Sequence, residues 1–134
     1  MRHYQILDTV SIEDESGLFT VEAAGATVAA QIALRREGAY VAISATYGPL
    51  EIALRPRYDA LTRTLARLRP IGGLQTSREL GSTQAYISVG LKGDGALIMR
   101  PTIVGDASGH IGLNFTLTDE ARQKLYTWLE VPAE

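Results

Sequence analysis

Two segments of this chain end in the same way. Residues 50–68, LEIALRPRYDALTRTLARL, and residues 111–129, IGLNFTLTDEARQKLYTWL, each run from an alternating apolar strand straight into an amphipathic helix. Apolar residues at every second position bury one face of a strand, and spacings of three and four bury one face of a helix. A chain that makes this change of period twice needs sheets with helices packed on them. The expected class is α+β, with two β-meander-plus-helix repeats (ββββα twice) whose antiparallel sheets are backed by helices.

The rest of the chain fills in that plan. Met1 to Ile12 reads as a short strand closed by the acidic turn Glu13 to Gly17, and Leu18 to Ala23 as the next strand. Ala26 to Arg35 follows with Val28, Ala30, Ile32 and Leu34 on one face, then Ala39–Tyr47 with Val41, Ile43 and Ala45 on one face. The Arg36-Glu37-Gly38 and Gly48-Pro49 connections suit hairpin loops. Pro56 suits a first helical position, where its missing N–H needs no partner. Tyr58, Leu61, Leu65 and Leu68 then form one helical face, stopped by Pro70 and Gly72-Gly73.

In the second half Ala85, Ile87, Val89 and Leu91 alternate, and Asp94-Gly95 signals a hairpin turn into Ala96–Val104. Pro101 suggests an edge or a bulge there. Thr118 suits an N-cap with Asp119 and Glu120 in the first turn, and Leu117, Ala121, Leu125 and Trp128 make the last apolar face. The 134 residues thus read as a single domain, 1–134. Repeat one spans 1–70, a connection 70–83, and repeat two 84–134.

The residues left on the opposite strand faces are small and polar. Thr27, Ala29, Gln31, Ala33 and Arg35 alternate with the core set, as do Tyr40, Ala42, Ser44 and Thr46. Ala53, Arg55, Gln84, Tyr86, Ser88, Lys92, Arg100 and Thr102 continue the series. A plain solvated face carries more Lys and Glu. Small side chains let another surface approach the backbone, tyrosines stack on bases and arginines meet phosphates. Alanines at the margins of a modest sheet, with tyrosines packed across strands, are the plainer account.

Several chemistries are excluded or unsupported. With no cysteine, disulfides, thiolate zinc sites and cysteine nucleophiles are absent, which fits a reducing, cytoplasmic setting. No apolar stretch approaches the length needed to span a bilayer, so no membrane partner is expected. His3 and His110 stand far apart without ligand spacing, so neither a metal nor any other cofactor is expected. Asp106, Ser108 and His110 are crowded into one turn, where adjacent side chains diverge, so they read as a loop rather than a catalytic triad. Gly93-x-Gly95 leads into a strand, whereas phosphate-cradling glycines precede a helix. The formal charge of −2 leaves phosphate binding to a local patch, for which Arg55 and Arg57 at a sheet–helix junction have a better claim than the solvated Arg63 and Arg67.

Lys92-Gly93-Asp94-Gly95-Ala96-Leu97 is similar to the Lys-Gly-Lys-Ala-Ala-Leu motif of Whirly proteins, with Pro101 at a similar distance. Phe115-Thr116-Leu117-Thr118-Asp119-Glu120 is similar to the strand-to-helix junction of Whirly proteins and of positive cofactor four. With the doubled meander-plus-helix plan, the chain resembles the Whirly and Pur families of single-stranded nucleic-acid-binding proteins. The resemblance implies a non-enzymatic single-stranded DNA or RNA binder, such as a transcription or nucleic-acid-maintenance accessory factor. Asp94 replaces the motif's second lysine, so only Lys92 carries over as a contact.

Two functions from different classes follow. The first is nucleic-acid binding through Arg35, Tyr40, Arg55, Arg57, Tyr86, Lys92 and Arg100. The second is a homo-oligomeric interaction module that buries Ala29, Ala33, Ala42, Ala53 and Ser88 against protein. Nothing in the residues points to an enzyme.

Overall fold

The computed structural model describes residues 3–70 and 78–133, a mixed α+β arrangement of two sheets and two helices around one core. The five-stranded sheet is a simple meander of β2 (Thr9–Glu13), β3 (Leu18–Glu22), β4 (Ala30–Glu37), β5 (Tyr40–Tyr47) and β6 (Leu50–Leu54). Phe19, Val21, Ile32, Leu34, Val41, Ile43, Ala45 and Ile52 alternate onto its buried face. Two of its hairpins have two-residue loops, Gly38-Ala39 and Gly48-Pro49. In each, only the first loop residue has positive φ, +63° at Gly38 and +58° at Gly48. That is the backbone of a type II′ turn, whose twist matches the strands it joins and which asks for glycine there.

After β6 the chain enters α1 (Tyr58–Arg67). Pro56 does not open this helix as expected. Its carbonyl accepts from the Val41 amide, and Arg57 forms one further bridge to Tyr40. The edge pairing therefore runs on, and Arg57 is the N-cap. Leu61, Leu65 and Leu68 are buried as the spacing predicts, and Thr62 joins them. Gly72 and Gly73, read as helix stops, lie outside the described residues.

The second sheet has the order β1 (Gln5–Leu7), β11 (Phe115–Leu117), β9 (Leu97–Asp106), β8 (Ala85–Leu91), β7 (Arg78–Gly81), with β10 (Gly109–Gly112) also on β9. It departs from the sequence reading in several places, one being the strand expected through Ile111 and Phe115, which breaks into β10 and β11 with Ile111 exposed. The expected strand Met1–Ile12 is two strands that separate at Asp8. Asp8 gives its amide to Glu22 and accepts the Ala24 amide on its carboxylate, while Leu7 holds the Thr118 amide on the other side. The β1–β11 pair is parallel, so this sheet is not purely antiparallel. A further departure is β7, which falls inside the expected connection 70–83.

Pro101 lies in neither an edge strand nor a bulge of the β8–β9 ladder. β9 is paired on both sides, and Pro101 stands opposite Ile87. Its carbonyl accepts from Leu113, so its nitrogen faces the same side, at the break between β10 and β11 where the ladder needs no donor. Val28, placed on the core face by alternation, is 39% exposed. The strand starts only at Ala30, and residues 24–29 are a loop, so Thr27 and Ala29 precede the sheet as well.

α2 (Asp119–Leu129) joins the layers, packing on β11 of one sheet and on β2 and β3 of the other. The Thr118 hydroxyl accepts the Ala121 amide, the N-cap bond expected from sequence. Ala121, Leu125 and Leu129 are buried, and Trp128 packs on Phe19 with ring centroids 5.4 Å apart. The tyrosine hydroxyls tie the helices together, Tyr58 donating to the Leu129 carbonyl and Tyr126 to the Leu65 carbonyl at 3.2 Å. Each sheet is thus covered by helix and by the other sheet in one shared core. No described helix is long and apolar enough to cross a membrane.

Candidate interaction surface

The outward residues form two separate faces, one on each sheet. On the five-stranded sheet the pairing sets three rows across the strands. The middle row is Ser11, Thr20, Ala33, Ser44 and Ala53. On one side of it lie Glu13, Leu18, Arg35 and Ala42, with Arg55 just beyond β6. On the other lie Thr9, Glu22, Gln31, Thr46 and Glu51. Because the central side chains are so small, a hollow of about 400 Å³ opens here, floored by Ala33, Ala42, Ser44 and Ala53 and flanked by Leu18, Arg35 and Arg55.

The two flanks of the middle row differ, one carrying a mixed network of arginines and carboxylates and the other only carboxylates as charged groups. On the first flank Glu37 accepts from Arg35 Nη2 at 2.8 Å and from Arg55 Nε at 3.1 Å. The hydrogen bond from Arg35, then that from Arg55, hold the Glu37 carboxyl below the usual glutamate value. Tyr40 lies beside them, with the Arg55 guanidinium 4.6 Å and the Arg57 guanidinium 5.5 Å from its ring centre. Arg57 also pairs with Asp59 at 3.5 Å. On the opposite flank of the row stand Glu22 and Glu51, and Glu51 accepts from the Ser44 hydroxyl at 2.7 Å.

The structure therefore unites Arg35, Tyr40, Arg55 and Arg57, and it places Ala33, Ala42 and Ala53 next to them. Ala29 is exposed in the loop before β4. Tyr86, Ser88 and Arg100 belong to the other sheet, where Ser88 is buried and Arg100 Nε donates to Asn114 Oδ1 at 2.6 Å. Lys92 stands in the β8–β9 turn of that same sheet. The seven proposed nucleic-acid contacts are thus divided four and three between the two sheets.

Sequence reasoning missed Glu37 and Glu51. Both were legible in principle, because Glu37 is two residues after Arg35 and Glu51 two before Ala53, on the same strand faces. The motif-like turn at Lys92–Leu97 is put to structural use. Asp94 Oδ1 accepts the Ala96 amide at 3.0 Å, and the Gly95 carbonyl accepts from Arg122 Nε at 2.6 Å, latching the turn to α2. Asp106 likewise accepts both the amide and the hydroxyl of Ser108 at 2.7 Å, which lowers its pKa and closes the turn as an ordinary Asx loop. Among the described residues, no three His, Asp or Glu side chains converge as metal ligands would.

No protein-family model matches this chain, and no curated protein or solved structure matches it.

Proposed function

We propose that the chain is a non-enzymatic binding module that associates with a second copy of itself through the outer face of the five-stranded sheet. The observation that carries this reading is the Ala33–Ser44–Ala53 row of small residues, flanked on one side by the Arg35–Glu37–Arg55 bridge and on the other by Glu22 and Glu51. A two-fold axis laid along that row reverses every strand. It sets Ala53 against its own copy and brings Arg55 over the Glu51 of the second copy, since each is two residues from Ala53. Shape agrees with charge. The height of a uniformly twisted sheet varies as the product of position along and across its strands, and this axis leaves that surface unchanged. Two such faces stack without a void, and small side chains let them approach.

The available patch sets the strength. Five strands about 4.8 Å apart, with about five residues at about 3.3 Å each, give a plane of roughly 400 Å². That is about half of the surface that a stable partner usually buries. Association should therefore be weak and concentration-dependent.

Sedimentation velocity across the micromolar range tests this. Arg55→Glu and Glu51→Arg each weaken the association, and the double variant restores it because the opposite pairing is re-formed. A strict monomer at every concentration, or a double variant worse than either single one, overturns the reading.

A second reading has its own observation, the Arg55 and Arg57 guanidiniums around Tyr40. This cluster could clamp a base and its phosphates on a single strand, as the Whirly-like resemblance implies. Glu37 and Asp59 already engage these arginines, and Glu13 shares a row with Arg35, all of which repel phosphate. A labelled single-stranded oligonucleotide at low salt separates the two readings. Salt-sensitive binding by a monomer favours the second. The doubled ββββα plan belongs to the same proposal and is supported by a helix closing each half, although β2 to β6 precede α1 and β7 to β11 precede α2, five strands each where four were expected. The lack of cysteine supports a cytoplasmic setting.

A further inference from the structure

β2 is the outer strand of the five-stranded sheet, and among the described residues no strand pairs with its other side. Such an edge turns alternate N–H and C=O groups outward, and proteins usually blunt it with lysine, proline or a bulge. Residues 9–13, TVSIE, carry none of these, and Ile12 is 49% exposed. Beside this edge runs α2. Ile12, Glu120, Gln123, Lys124, Thr127 and Trp128 line a groove of about 390 Å³ between strand and helix. The helical residues follow spacings of three and four, so they form one stripe facing the strand. The groove wall is fixed in place, because Trp128 is held by its contact with the buried Phe19.

We infer that this groove binds an extended peptide that adds to β2 as a further antiparallel strand. Main-chain hydrogen bonds supply the affinity in this mode, and pockets for alternate side chains supply the selectivity. One apolar side chain of the incoming strand rests on Ile12 and Trp128, and its neighbours face solvent. Charge fixes the direction and the partner. The C-terminal end of β2 runs into Glu13, Asp14 and Glu15, all exposed, while Glu120 on the helical side of the groove is balanced by Lys124 at 3.3 Å, which leaves the acidic excess at the strand end. An antiparallel strand starts at that end, so its leading residues are basic. The ligand class is an extended segment with basic residues first, followed by alternating β-branched or apolar residues. The peptide site is the free edge of β2 and the proposed self-association uses the outer face of the sheet, so Arg55→Glu, which disturbs only the second, tells the two apart.

The probe is a phage-displayed library of random peptides selected on the full chain and counter-selected on its Ile12→Lys variant. Enriched sequences should share a basic start and an alternating apolar continuation. Titrated as synthetic peptides, they should give a saturable change in the fluorescence of Trp128, the only tryptophan in the chain. Ile12→Lys and, as a second variant on the helical wall, Thr127→Arg should each weaken binding about tenfold or more. Arg55→Glu should leave it unchanged. Methylating the peptide amides that face β2 should abolish binding, and methylating the alternate set should not. No enrichment over the Ile12→Lys variant overturns the inference. So does peptide binding that is indifferent to backbone methylation.

Discussion

The contact between Phe19 and Trp128 is the direct test of how α2 is seated. Phe19 is fully buried on β3, and its ring lies 5.4 Å from that of Trp128 at an interplanar angle of 39°. This tilted pair belongs to the class worth about 0.5–1.5 kcal/mol beyond area burial. Phe19→Leu keeps an aliphatic side chain on the strand but leaves about 25 Å³ unfilled, a cavity term near 0.6 kcal/mol. Adding the lost ring contact gives a destabilisation of about 1–2 kcal/mol. Trp128→Leu removes the same contact from the helix side. The double variant can lose that contact only once. Its destabilisation should therefore fall short of the sum of the single ones by about 0.5–1.5 kcal/mol. Urea unfolding followed by far-UV circular dichroism measures all four proteins, since one substitution removes the only tryptophan. Additivity within about 0.3 kcal/mol would mean that the rings do not meet, and that α2 does not clasp the five-stranded sheet.

Two further outcomes concern the turn latch and the charged end of the hollow. At Gly95, with φ of +90°, an added Cβ would lie 2.8 Å from Asp119 Cγ. Gly95→Ala should therefore cost about 1–2 kcal/mol in backbone strain, with the carboxylate overlap added to it. In an Asp119→Ala background the overlap disappears and the strain remains, so urea midpoints should show coupling between the two sites. Glu37 has a lowered pKa in the folded chain, so its contribution is complete above the unfolded value and is lost as pH falls through the folded one. Stability should therefore decline below about pH 4.5. Glu37→Gln should shrink that decline, and an identical pH profile of the unfolding midpoint would rule out the Arg35–Glu37–Arg55 bridge in solution.

What the sequence disclosed depended on whether a feature was local. Alternation and turn glycines marked the β3 to β6 meander, and the change of period marked both helices. The Thr118 cap was readable because its partner is three residues away. Sheet membership was not. Gln5–Leu7 and Thr9–Glu13 look like one strand until Asp8 is seen bonding to Glu22 and Ala24. Likewise the Arg78–Gly81 strand is too short for its alternation to stand out from a loop. The same limit affected the site. Residues pointing away from the core were correctly recognised as small and polar in β4 and β5, but periodicity alone could not show that Tyr86 and Arg100 lie on a different sheet from Tyr40 and Arg35.

That separation decides which small residues still need explaining. The Lys92–Leu97 stretch offered the nearest motif, yet its Asp94 and Gly95 are consumed in making a turn and anchoring Arg122. Folding accounts for them. It does not account for Ala33, Ala42 and Ala53. Alanine is depleted in strands, and a β-branched residue at an exposed strand position gains up to about 1 kcal/mol over it. Three alanines on one solvent-facing hollow therefore give up stability that threonine or valine would supply. Each lies beside a charged group, Ala42 opposite Arg35, Ala33 two residues before Arg35, and Ala53 two residues after Glu51. A sheet that forgoes side-chain bulk at its centre, between the Arg35–Glu37–Arg55 bridge and Glu51, fits the proposed close approach of another surface. The proposed two-fold axis through Ser44 would make a second copy that surface.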